Sequence, residues 1–172
     1  MKRLGILFPS AAAALLFAAS APARAARPVT QSDADAIVLK PLSLIKKKNM
    51  DFGTLISAAT AGTATINPAT GAVTTTGGVT AATSTTSAAT FVGAGSKNAP
   101  FQIRLPTSPI TLTRSGGTET MTVSNWTTDG QTTRRVAANA AFQFGIGARL
   151  NVAANQAPGT YVGTFNVTVH YP

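Results

Sequence analysis

Between Tyr161 and Tyr171 the chain alternates apolar and polar residues with a period of two. Tyr161, Gly163, Phe165, Val167, Val169 and Tyr171 fall on one side, and Thr160, Thr164, Asn166, Thr168 and His170 on the other. Side chains of a strand point to opposite faces in turn, so this run predicts a strand with one buried and one wet face. Phe142 to Val152 repeats the pattern. Phe142, Phe144, Ile146, Ala148, Leu150 and Val152 share one face, and Gln143, Gly145, Gly147, Arg149 and Asn151 share the other. Residues 153–159 separate the two runs, and the pair is expected to lie antiparallel. Phe101, Ile103 and Leu105 alternate with Gln102 and Arg104 between two prolines. Ile110–Thr113 and Thr120–Val123 flank Ser115-Gly116-Gly117 and read as a hairpin.

The pattern weakens toward the N-terminus. Ile37, Leu39, Leu42 and Leu44 give a strand interrupted by Pro41, which fits an edge or a bent strand. Lys46-Lys47-Lys48 reads as a basic turn, with short apolar pieces after it at Met50–Leu55, Thr63–Ile66 and Ala88–Val92. Ala69 to Ser87 is rich in Thr, Ala and Gly and reads as polar loops with weakly specified edge strands. Helix signals are nearly absent, since Thr, Val, Gly and Pro favour strands and turns. The expectation is an all-β chain: one immunoglobulin-like antiparallel β-sandwich of about seven to nine strands over residues 37–172.

A different pattern occupies the start. Met1-Lys2-Arg3 is positive, Leu4–Ser20 is almost wholly apolar, and Ala21-Pro22-Ala23-Arg24-Ala25 places small residues at the −3 and −1 positions of a cleavage site. That is the layout of a secretory signal peptide over residues 1–25. Its apolar run is short for a membrane span. Residues 26–36 then form a polar N-terminal arm. Cleavage would leave no transmembrane segment and would place the product outside the cytoplasm, in the periplasm, at the surface or in the medium of a Gram-negative bacterium.

Composition narrows the chemistry. The chain has 172 residues, no Cys and one His, with 14 Lys or Arg against 5 Asp or Glu. A disulfide framework, a thiolate zinc site and a Cys nucleophile are excluded. With so few titrating groups no catalytic, cofactor-binding or metal-binding residue is assigned, and the chain is expected not to be an enzyme. Asp33 and Asp35 fall far short of the oxygens that calcium requires. His170 lies on the polar face of its strand, and no Ser-His-Asp constellation surrounds it. The basic residues cluster only at Lys46, Lys47 and Lys48 and at Arg134 and Arg135. Aromatics do not interleave with them, so nucleic acid is not expected as a partner. They are a candidate contact for an anionic envelope polysaccharide, and otherwise guard exposed edges against pairing.

The C-terminal run carries a resemblance. Gly159 stands fourteen places from the end, followed by alternating hydrophobics and a penultimate Tyr171, and this resembles the last strand of chaperone–usher pilins. Leu42-Ser-Leu followed by Met50-Asp-Phe-Gly53 looks like the first strand of pilin and spore-coat-protein-U-type domains. From Asp51 to the C-terminus the chain most resembles the secreted bacterial family called domain of unknown function 4402. The matching pieces are Asp51–Thr54, Gly62–Ile66, Phe101–Pro106, Met121–Val123, Phe144–Leu150 and Gly159–Phe165. The resemblance implies an exported immunoglobulin-like sandwich. The function it implies is a pilin-like structural or adhesion module that pairs strands with a periplasmic chaperone or identical subunits. Gly159, Tyr161, Phe165, Val167, Val169 and Tyr171 would form the pairing edge. Two features depart from pilins: there is no Cys, and the arm Ala26–Ala36 holds Val29 as its only sizeable aliphatic. The alternative expectation is a self-contained exported module that binds an anionic envelope glycan.

Overall fold

A computed structural model describes residues 34–83 and 85–172. The signal peptide and most of the polar arm expected from the sequence lie outside the described residues. Eleven strands follow in order: β1 (Ser43–Lys48), β2 (Leu55–Ile66), β3 (Val73–Ala81), β4 (Ala89–Ala94), β5 (Pro100–Arg104), β6 (Ile110–Arg114), β7 (Thr120–Thr128), β8 (Thr133–Arg135), β9 (Ala141–Val152), β10 (Tyr161–Val162) and β11 (Thr168–His170). Every pairing is antiparallel. An eight-stranded sheet runs β1-β4-β9-β7-β6-β10, with β2 on β9 and β3 on β2. A three-stranded sheet runs β11-β5-β8. The fold is the expected immunoglobulin-like β-sandwich. Its strand count exceeds the expected number because several pieces are only two or three residues long.

Strand β9 organises the large sheet. Along Ala141–Ile146 it pairs with β4, along Arg149–Val152 with β2, and along Ile146–Asn151 with β7. Because β7 overlaps both of the others, β2 and β4 share one edge of β9 and β7 holds the other. The handover from β4 to β2 brings Ile66–Pro68 across the strand. A Cβ on Gly145 would lie 2.1 Å from the Pro68 carbonyl oxygen, and one on Gly147 would lie 2.2 Å from that of Ile66. Only glycine allows this crossing. The two glycines are therefore buried, although their parity is that of the wet face.

The side chains of β9 divide the interior in two. Phe142, Phe144 and Ile146 join Ala89, Phe91, Phe101, Ile103 and Val136 in one cluster. Its rings stack, with centroids 4.3 Å apart for Phe101–Phe142 and 5.4 Å for Phe91–Phe144. Ala148, Leu150 and Val152 join Ala64, Val79 and Val123 in the other. The small sheet sends Phe101 and Ile103 into the first cluster, with Val169 packed against it. It sends nothing into the second. The sandwich is thus closed over one half of the large sheet and open over the other.

Four expectations are corrected. Residues 161–171 are not one strand: β10 pairs β6 in the large sheet, Gly163–Val167 has no ladder partner, and β11 pairs β5 in the small sheet. Neither piece pairs with β9, because β4, β2 and β7 already occupy both its edges. Lys46–Lys48 is not a turn but the second half of β1. That strand starts only at Ser43, beyond Pro41, which has no N–H to give a ladder.

The register of β9 follows the predicted parity, with Gln143 and Arg149 exposed and Phe144 fully buried. Phe144→Ala is expected to cost about 3–5 kcal/mol through lost burial and the cavity left behind. Gln143→Ala is expected to stay within about 0.5 kcal/mol. Urea unfolding of both variants checks the register, and the reverse order of effects would refute it.

Candidate functional site

The open half of the sandwich forms a cleft of about 780 Å³. One wall is the segment from Asn49 to Leu55, which leads from β1 into β2, and the other is Gly159–Phe165. The floor is the inner face of the large sheet, where Phe91, Leu112, Met121, Val123 and Leu150 are set by the alternation of β4, β6, β7 and β9. Cavities of this size and apolar lining are typical of binding sites.

Among the described residues both walls carry main chain that joins no ladder on its cleft side. The Asp51 N–H donates to the Ser87 carbonyl at 2.8 Å, and the Ser87 N–H donates back at 2.9 Å. In an antiparallel ladder the neighbours of such a pair turn their own N–H and C=O the opposite way. Those of Met50 and Phe52 therefore face away from Ser87, toward the cleft they line. Across from them Gly163–Val167 runs extended between β10 and β11 without joining either sheet. Among the described residues β1 also pairs on one edge only, with β4.

Trp126 stands between the two core clusters and is packed against both. Its ring lies 4.7 Å from that of Phe165, and its buried Nε1–H has no hydrogen-bond partner among the described residues. A buried orphan donor is costly. The sequence hides this residue. Met121 and Val123 point inward, so strict alternation would send Asn125 inward and Trp126 out. Between Ser124 and Thr127 the register with β9 shifts, and Asn125 takes a positive φ of 51°. That bulge turns Trp126 to the inner side. An Asn that tolerates the left-handed region just before a large aromatic is the signal available in the sequence.

The expected edge residues take different positions. Gly159 has a φ of +148°, and a Cβ there would lie 2.8 Å from Cδ of Arg114. Tyr161 anchors the same wall. Its Oη donates to the Ala157 carbonyl and accepts from Gln156 Nε2, both at 2.7 Å. Phe165 lines the cleft, whereas Val167 and Val169 pack on the closed cluster. Tyr171 lies elsewhere: its Oη donates to the Lys40 carbonyl at 2.8 Å and accepts from the Ser96 N–H at 2.7 Å. Phe165, Val167 and Val169 keep their inward parity across the break in the strand, and the single continuous edge does not survive it.

The basic candidates are not brought together by one sheet. Lys46, Lys47 and Lys48 lie on β1 in the large sheet, and only Lys46 reaches the cleft. Arg134 and Arg135 lie on β8 in the small sheet. Arg134 pairs with Asp129 at 2.6 Å, and Arg135 donates to the Asn98 carbonyl at 2.9 Å. Arg114 and Glu119 clasp the turn between β6 and β7 through two bonds of 2.7 and 2.9 Å. Hydrogen bonding from Arg114 holds the Glu119 carboxyl below its usual range, and hydrogen bonding to Glu119 raises the Arg114 guanidinium. Among the described residues no three His, Asp or Glu side chains converge as a metal site would need.

The family model described as domain of unknown function (DUF4402) matches residues 42–171, three quarters of the chain, and the chain belongs to that family. No curated protein and no solved structure matches it.

Two outcomes test this wall. Gly159→Ala forces a side chain into a strained conformation against Arg114, and about 1–3 kcal/mol of stability should be lost, read by thermal unfolding. Glu119, with its lowered folded pKa, stabilises the native state above the unfolded carboxylate value of about 4.3 and ceases to do so as pH falls through the lower folded value. The urea midpoint of the parent should therefore drop more steeply in that acid window than that of Glu119→Gln. Equal slopes would remove the linkage.

Proposed function

We propose that this member of the DUF4402 family is an exported, non-enzymatic structural or adhesion module of pilin-like action. It takes an extended segment of a partner into the open half of its sandwich. The observation that carries this reading is the cleft with unused main chain on both walls and an apolar floor between them. An extended segment answers all three at once. Its N–H and C=O groups bond to the walls, and its alternate side chains fall on Leu112, Met121 and Val123. This is β-strand addition, in which main-chain bonds give affinity and the pockets give selectivity.

Compact small molecules would cover the floor but leave the wall amides and carbonyls unmatched. The partners that suit the reading are a periplasmic chaperone that lends a strand and identical subunits. A glycan held by the basic residues has less support. Those residues are divided between two sheets, and Arg134 and Arg135 are engaged within the chain.

Peptides with large apolar residues at alternate positions test the reading, followed by amide hydrogen exchange and by emission from Trp126, the only tryptophan. Occupancy should slow exchange at Gly163–Val167 about tenfold or more and shift the emission. A panel in which no peptide alters either signal, or in which lipopolysaccharide alone does so, would overturn it.

A further inference from the structure

We propose that the outer face of the large sheet carries a second binding site, for a neutral oligosaccharide. A trough of about 600 Å³ opens there, within the size range of ligand sites. Its floor is a row of cross-strand partners on four adjacent strands: Thr76 of β3, Thr63 of β2, Asn151 of β9 and Thr122 of β7. Neighbouring strands lie about 4.8 Å apart, so the row extends roughly 14 Å, more than a single sugar ring needs. Ala64, Leu150 and Val123, each next in sequence to a member of the row, are buried in the core. Alternation therefore puts the row on the face away from the open cleft. The two sites are different surfaces, and neither reading depends on the other.

The polar groups of the trough are set before any ligand arrives. Asn151 Nδ2 donates to the Thr122 carbonyl and to Thr122 Oγ1, both at 3.2 Å, and to Ser124 Oγ at 3.1 Å. A carbonyl can only accept, so the amide is fixed in one orientation and Asn151 Oδ1 is left as an acceptor. Thr122 Oγ1 already accepts from Asn151, which leaves its own O–H to donate to a ligand. Thr63 Oγ1 and Thr76 Oγ1 lie 2.7 Å apart, so one of their two protons joins them and the other is free. Gln156 closes the end of the trough. Its Nε2 donates to the Thr120 carbonyl at 3.3 Å and to Tyr161 Oη at 2.7 Å, and its Oε1 accepts from the Ala153 N–H at 3.3 Å. Groups already held in place lose little freedom when a ligand binds.

Charge selects the class of ligand. The chain has 14 Lys or Arg and 5 Asp or Glu, yet none of them lines the trough. An anion would find no cation there and would face the Asn151 carbonyl oxygen. A hard cation would find no carboxylate. An uncharged polyol answers what is present. Each sugar hydroxyl both donates and accepts, so neighbouring hydroxyls can meet Asn151 Oδ1 and the free threonine protons together. No aromatic side chain lines the trough, so affinity rests on hydrogen bonds, with a Kd of about 1 mM.

The test uses the full chain secreted from a bacterial host, isotopically labelled for NMR. Cellotetraose, maltotetraose and mannotetraose are each titrated to about 10 mM, roughly ten times that Kd. At least one should move the side-chain amide signals of Asn151 and Gln156 to saturation, and the anionic tetragalacturonate should not. Thr122→Val and, across the row, Thr63→Val keep the branched shape and remove one hydroxyl each. Both should leave thermal unfolding unchanged and weaken binding about fivefold or more. Trp126 emission, the signal of the inner cleft, should stay where it is. Amide signals unmoved by all three neutral sugars, or moved equally by tetragalacturonate, would overturn the inference. So would parent affinity in both valine variants, or a sugar-dependent shift of Trp126 emission.

Discussion

Strand β9 has to bury one face along its whole length, and a second sheet lies against only part of that face. Phe142, Phe144 and Ile146 meet Phe101 and Ile103 of the small sheet, and stacked rings fill the space between the layers. Ala148, Leu150 and Val152 meet no such layer. Burial of apolar area is the main favourable term in folding, so the uncovered half must be served by whatever chain lies near. Asn49–Leu55 and Gly159–Phe165 lean over it as two irregular walls. The shape of the cleft follows from that mismatch between a long strand and a short covering sheet.

The crossing at Gly145 and Gly147 belongs to the same constraint. Strand β9 exchanges β4 for β2 on one edge, and the departing chain must pass over it. Two missing side chains let Ile66–Pro68 press against the backbone. On the outer face beyond this crossing one row of partners runs Thr76, Thr63, Asn151, Thr122 and Thr111 over five strands. The inward row beside it includes Ala64, Leu150 and Val123. Threonine suits such a sheet: its branched carbon packs on the pleat while its hydroxyl stays wet.

Much of this was legible in the sequence. The parity of Phe142–Val152, the hairpin from Ile110 to Val123 and the burial of Phe101 and Ile103 all follow from alternation, because each of those strands has one dry face and one wet face. Parity reports which way a side chain points and is silent about the neighbouring strand. Phe165, Val167 and Val169 accordingly turn inward as expected while their main chain leaves one sheet for the other. Lys46–Lys48 resembled a turn because an edge strand in water has little need for apolar residues. The cleft was the least legible feature. Its walls are not regular strands, and Trp126 enters it through a bulge that breaks the period.

The triangle of Lys40, Ser96 and Tyr171 joins parts of the chain up to 131 residues apart. A growing polypeptide emerges from its N-terminal end. Lys40 must therefore wait for nearly all of the later strands before its carbonyl finds the phenol. Until then the entrance to β1 is held by Ser96 alone. The entrance to β1 is thus set by the chemistry of a distant tyrosine, so that a chain truncated before it would keep its core residues yet lose one of the two bonds that hold Lys40.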